Sequence, residues 1–524
     1  MGRMTSPELL PTVTVGDRPL SVAQVVSVAR NGARVEIAES AWLAVRRGRE
    51  VVDALVDDDI AHYGISTGFG ALATRHIPVD MRARLQRSLI RSHAAGSGPQ
   101  VETEVVRALM LLRIQTLATG HTGIREETLR TYVALLNSGI TPVVHEYGSL
   151  GCSGDLAPLS HCALALMGEG EVSDANGQIM PTAQALQAAG IAPVELQEKE
   201  GLALINGTDG MLGMLCLALV DLGELLKVAD ISAAMSIDGL LGSDEVFAAD
   251  LQALRPQVGQ GRSAANLRDL MAGSGIRDSH RDPDACTRVQ DAYSLRCAPQ
   301  VAGGCRDTVA HATRVAELEL ASVVDNPVIT DDGRVESNGN FHGAPVAYVL
   351  DFLAIVVADL ASISERRTDR MLDKARSNGL PPFLADDPGV DSGHMIAQYT
   401  QAAIVSELKR LAVPASVDSI PSSAMQEDHV SMGWSGARKL RRAVDGLRRV
   451  LAIEVLTAAR AIELRAPLRP SPAIGAVVAA LQAAGWPGPG VDRWLSPEIE
   501  VAVDLVGSGA VVGAAEGALG HELN

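Results

Sequence analysis

Val346-Ala347-Tyr348-Val349-Leu350-Asp351-Phe352-Leu353-Ala354-Ile355-Val356-Val357-Ala358-Asp359-Leu360-Ala361-Ser362-Ile363-Ser364 is the stretch that decides the fold class. Val346, Val349, Leu350, Leu353, Val357, Leu360 and Ser364 recur at helical spacing, which gives one helix an apolar face. The pattern covers residues 345–375, roughly 30 positions and well beyond the usual globular helix. Asp351 and Asp359 sit inside it, and a transmembrane helix should tolerate neither, so it reads as a core helix. Similar patterns run over about 299–324, stopped by Asp325-Asn326-Pro327, and over about 435–464. Several helices of this length predict a mainly α protein built as an elongated antiparallel helical bundle. Burying such helices on several faces is hard within one subunit, so a bundle shared between subunits is expected.

Hydrophobic residues make up 47% of the 524 residues and aromatics only 3%. Such a core is built from Ala, Leu and Val, which suits close helix-on-helix packing. A net charge of −18 argues against a nucleic-acid partner and against adhesion to anionic membranes. The six cysteines form no CxxC, so neither a zinc knuckle nor a redox pair is supported, and no metal is expected. The first residues carry no apolar signal region, and a cytoplasmic protein is expected. Near the N-terminus, Thr12-Val13-Thr14-Val15 and Ala33-Arg34-Val35-Glu36-Ile37 alternate as strands around a helix capped by Ser21, which predicts a small mixed α/β region. Two regions are expected, 1–205 and 206–524, the second holding the long-helix bundle.

The chemistry concentrates in Gly148-Ser149-Leu150-Gly151-Cys152-Ser153-Gly154-Asp155-Leu156-Ala157-Pro158-Leu159. Ser-Gly-Asp before a helix is an N-cap in most proteins. Cys152-Ser153-Gly154 also has what a backbone needs to make its own electrophile. The Gly154 amide nitrogen can attack the carbonyl of residue 152 and close a five-membered ring, and loss of two waters leaves a methylidene where the Ser153 side chain was. Gly154 is needed for the tight approach. Residue 152 gives only its carbonyl, so its thiol is a spectator. A helix starting near Leu156 would place its positive end beside the ring.

The longer run resembles the signature of the ammonia-lyase and aminomutase family that forms 4-methylideneimidazol-5-one from Ala-Ser-Gly, with Cys152 in place of the usual alanine. The resemblance extends from Tyr63 to Met432 at least. It implies a homotetramer, active sites shared between subunits, and no external cofactor. His62-Tyr63-Gly64-Ile65-Ser66-Thr67-Gly68-Phe69-Gly70 resembles the family's lid loop, so Tyr63 is assigned as the base for the β-proton. A free phenol titrates near ~10, and a positive charge or helix terminus would have to lower it. By resemblance, His93 contacts the substrate side chain, and Asn206 lies near the ring and the substrate carboxylate. Tyr293 and Gln290 match an active-site loop, and Phe341 lines the pocket. Arg296 is assigned as the carboxylate anchor, a role that its fork-shaped guanidinium suits.

Gln426-Glu427-Asp428-His429 is similar to a segment of histidine ammonia-lyases, where Glu427 pairs with an imidazole or receives the departing amine. This implies conversion of L-histidine to trans-urocanate and ammonia, the first step of histidine degradation. Met425 stands where many relatives carry asparagine. A tyrosine ammonia-lyase or aromatic aminomutase is the alternative within the family. Outside it stand an inactive amino-acid-binding scaffold and a fumarase-like helical lyase.

Overall fold

The computed structural model describes residues 11–56, 62–151, 154–282 and 289–524; Cys152 and Ser153 lie outside the described residues. About 59% of the chain is helical, with only small sheets. The longest helices are Asp209–Gly239, Ala298–Leu320, Ala344–Leu372 and Gly433–Glu463. Val346, Val349, Leu350, Leu353, Val357, Leu360 and Ser364 are all buried, as their spacing predicts. Ala344–Leu372 is long and apolar enough to cross a membrane, and 56% of its most apolar stretch is buried. Its buried Asp351 is matched by Lys439, 2.6 Å away, so the charge is carried as an ion pair.

Two compact units divide the described chain. The first comprises Met1–Val220, Thr313–Leu350 and Ala415–Arg438; the second comprises Asp221–Ala312, Asp351–Pro414 and Lys439–Asn524. Each draws on three segments, whereas the sequence suggested contiguous regions meeting at 205 and 206. Four of the five cuts fall inside the four long helices, where no composition shift or linker marks them, and the fifth follows the helix Met395–Leu411.

In the first unit, Thr12–Val15 pairs in parallel with Arg34–Ile37. The intervening helix, Val22–Asn31, starts at a capping box formed by Ser21 and Gln24. Thr103–Leu117 is buried along nearly its whole length. The helix Leu156–Leu166 begins two residues after Gly154. In the second unit, Glu454 is fully buried and accepts from Ser232, Ser236 and Ser364 at 2.5–2.9 Å, and from Arg367 at 2.5 and 2.9 Å. Ser364 thus continues an apolar stripe because its hydroxyl has a buried partner.

Candidate active site

Gly154 is fixed by its backbone and its neighbours. Its φ is +82°, and a methyl group there would stand 2.1 Å from the Gly207 carbonyl oxygen and 2.3 Å from the Gly207 nitrogen. The Asp155 amide donates to the same carbonyl at 2.7 Å. This segment therefore lies backbone against backbone on Asn206-Gly207-Thr208, an approach open only to glycine. On the other side of the undescribed pair, Ser431 Oγ donates to the Gly151 carbonyl at 2.9 Å and the Met432 amide to Leu150 at 2.8 Å.

Asp155 suits the start of its own helix by sequence, yet its carboxylate serves another. It accepts from the Gly210 and Met211 amides at 2.8 and 3.0 Å, at the N-terminus of Asp209–Gly239, and from Ser149 Oγ at 2.8 Å. Burial pushes its pKa up to about 7, against the lowering effect of these donors. Asp155, the residue after Gly154, is thus tied to the helix that follows Asn206.

Asn206 is 3% exposed and ends the helix Glu200–Ile205. Arg113 donates to its carbonyl at 2.8 Å and also grips Ala203, Val324 and Asp209. The Asn206 Nδ2 donates to the Asn326 carbonyl at 2.9 Å and approaches Asp325 Oδ1 at 3.5 Å. Its Oδ1 is buried without a partner among the described residues. Asp325 in turn meets Lys199 at 2.6 Å, with both side chains fully buried.

Tyr63, His93 and Glu427 share one electrostatic neighbourhood. Tyr63 OH accepts from the Gly70 amide at 3.3 Å, and its ring meets Phe69 edge-on at 6.4 Å. Burial pushes the phenol above its ordinary range; Gly70 lowers it, and the Glu427 and Asp325 charges raise it further. Among the described residues, neither the positive charge nor the helix terminus expected to lower it is among these influences. His93 ends the helix Val79–His93, where Nδ1 faces the Leu89 carbonyl at 2.9 Å. Nδ1 must donate there, so the neutral ring offers Nε2 as an acceptor. Burial lowers its pKa, while Leu89 and Glu427 raise it.

Glu427 is held by Ser422, whose Oγ donates at 2.9 Å and whose backbone pairs with it. Ser423, Ala424 and Met425 beside it all take left-handed φ values of 51–68°. Three successive strained residues are the kind of backbone found at functional sites. Phe341 is half-buried, and the following His342 stacks on His429 at 5.6 Å. Gly343 donates to the Gly151 carbonyl at 3.4 Å, which brings this segment to the same place.

Gly154, Tyr63, His93, Asn206, Phe341 and Glu427 all belong to the first unit; Gln290, Tyr293 and Arg296 belong to the second. There the Arg296 guanidinium lies 4.7 Å over the Tyr293 ring, and its Nε is buried without a partner among the described residues. Gln290, Asp291 and Arg296 help line a cavity of about 500 Å³. An unpaired guanidinium N–H is suited to a carboxylate.

Sequence reasoning missed Lys199, Arg113, Asp325 and Ser431. Glu198-Lys199-Glu200 reads as a solvated charge run, and Asp325 reads as a helix stop. Their burial follows from long-range packing.

Residues 20–483 match the family described as aromatic amino acid lyase. The histidine ammonia-lyase of Streptomyces coelicolor is 65% identical over 97% of this chain and 99% of its own length. Among solved structures, a tyrosine aminomutase from Streptomyces globisporus superposes with a TM-score of 0.92 at 38% identity, covering 98% of this chain and all of that one. The histidine ammonia-lyase of Trypanosoma cruzi gives 0.88 at 37% identity, covering 97% of this chain and 95% of its own.

Proposed function

We propose, for a chain that belongs to the aromatic amino acid lyase family, that it converts L-histidine to trans-urocanate and ammonia. The observation that carries the reading is the placement of one carboxylate, Glu427, near enough to both the Tyr63 phenol and the His93 imidazole to influence each. A carboxylate and an imidazole acceptor suit a substrate ring bearing N–H groups. Near-full-length likeness to histidine ammonia-lyases points the same way.

The fit of a 4-methylideneimidazol-5-one formed from Cys152, Ser153 and Gly154 rests on Gly154, whose backbone lies against Gly207 where no side chain has room. Asn206 stands beside that contact with Oδ1 unpaired. When formed, the ring supplies an electron-poor double bond that makes the α-amino nitrogen a better leaving group. Arg296 grips the carboxylate, with Tyr293 packed under its guanidinium and Gln290 just before the short helix Tyr293–Arg296. His93 and Glu427 orient the imidazole, Phe341 bounds it, and Tyr63 takes the β-proton. Removing that proton needs the phenol lowered, while burial and two carboxylates raise it within the chain.

The reading includes a homotetramer with sites shared between subunits. Support comes from Tyr348, Phe352 and Ile355, which leave an exposed apolar face on Ala344–Leu372 at 57%, 45% and 44% exposure. The enzyme works in the cytoplasm and needs no external cofactor. Intact mass tests the ring: wild type should be lighter by two waters, and Ser153→Ala should lose that deficit and its turnover together. Mixing Ser153→Ala with Tyr63→Phe subunits should restore some activity. Full turnover by Ser153→Ala would end the electrophile reading, and verified mixed tetramers without activity would confine each site to one chain for these two residues.

A further inference from the structure

Lys199 and Asp325 are both fully buried and meet at 2.6 Å. A buried ion pair is a poor stabiliser, because apolar residues of similar volume often do as well or better. What the pair holds is more informative. Asp325 Oδ1 accepts from the Asn326 amide at 2.7 Å and stands 3.5 Å from Asn206 Nδ2, which itself donates to the Asn326 carbonyl at 2.9 Å. Both hydrogens of the Asn206 amide therefore face Asp325-Asn326, while Oδ1 is left unpaired among the described residues.

Turning this amide over would set its oxygen against a carbonyl and a carboxylate, so the negative charge fixes its sense. Lys199 fixes the carboxylate. Its own backbone is held at a left-handed φ of 70°, and its stem runs under the turn of Tyr63, where a methyl on Gly64 would stand 3.6 Å from Lys199 Cδ.

We propose that Lys199 and Asp325 are positioning residues that lock the Asn206 amide with Oδ1 presented to the substrate. The proposal rests on the lyase reading of the site. It explains why a lysine and an aspartate are kept dry in a chain with ample apolar residues.

A double-mutant cycle tests it. Removing one charge alone strands the other, so the pair is replaced together, as Lys199→Met/Asp325→Leu and, as a second variant, Lys199→Gln/Asp325→Asn. Melting and intact mass establish that each folds and forms the ring. Pair removal should lower kcat/KM for L-histidine by about 10- to 150-fold, the worth of one charge-assisted hydrogen bond. On an Asn206→Ala background the same replacement should cost little more, because the pair acts through that amide. L-histidine binding to Ser153→Ala, read by calorimetry without turnover, should show the same coupling.

Equal losses in both backgrounds, or no loss in a pair variant that folds and carries the ring, would overturn the proposal. If wild type fails on L-histidine, the functional reading fails instead. The cycle is then run on the amino acid that the chain does deaminate, which keeps the two failures apart.

Discussion

Gly154→Ala is the substitution whose cost the structure states most directly. The added methyl would stand 2.1, 2.3 and 2.4 Å from the oxygen, nitrogen and carbonyl carbon of Gly207. These are backbone atoms and cannot swing aside as a side-chain end would. Holding a non-glycine residue at φ +82° costs about 1–2 kcal/mol. Overpacking adds about 1–3 kcal/mol. Together these penalise the native backbone by roughly 2–5 kcal/mol, which lowers its population relative to relaxed alternatives by roughly 30- to 5,000-fold. The relaxed chain must pull Gly207 away and release the Asp155–Gly207 hydrogen bond. Intact mass, as the fraction of chains lighter by two waters, and turnover should fall together while circular dichroism stays helical. A Gly154→Ala enzyme with full mass loss and wild-type turnover would refute the close-approach argument.

Other outcomes follow from single groups. Cys152→Ala should form the ring and turn over normally, since only the carbonyl at that position enters; a folded variant that fails to cyclise would implicate the thiol. Arg296→Lys should raise KM for L-histidine by about 10- to 150-fold, because an ammonium cannot reproduce a bidentate fork; unchanged kinetics would place the carboxylate elsewhere. His394 is fully buried, and burial with Arg460 and Arg493 nearby lowers its pKa to about 3. The unfolded chain binds this proton more readily, so the group's stabilising contribution is present above pH ~6.5 and lost as pH falls towards 3, at most about 5 kcal/mol. The melting difference between wild type and His394→Gln should narrow over that window; parallel pH profiles would contradict it.

The long helices were legible because their burial is periodic, and Val346 to Ser364 carries that period in its own sequence. Asp351 is visible in the sequence as an acid inside an apolar run, but its ion pair with Lys439 depends on contacts distant in sequence. Gly154 announces a close backbone approach; which backbone approaches is not local information, and it proves to be Gly207. Asp155 shows the same limit, since a carboxylate before one helix caps another. Lys199 lies between two acids and looks solvated, yet Glu198, Lys199 and Glu200 are all buried. Tyr63 was recognisable as a candidate base, while the influences on its phenol are collected from Glu427 and Asp325, hundreds of residues away.

The most direct measurement is an ultraviolet assay of the purified wild-type enzyme on L-histidine, L-tyrosine and L-phenylalanine. Phenylalanine offers no polar ring atom to the His93 Nε2 or to the Glu427 carboxylate, and tyrosine offers one hydroxyl in place of two ring nitrogens. The account predicts rapid appearance of urocanate from L-histidine and at most trace product from the other two. Equal or faster deamination of tyrosine or phenylalanine would contradict the substrate assignment.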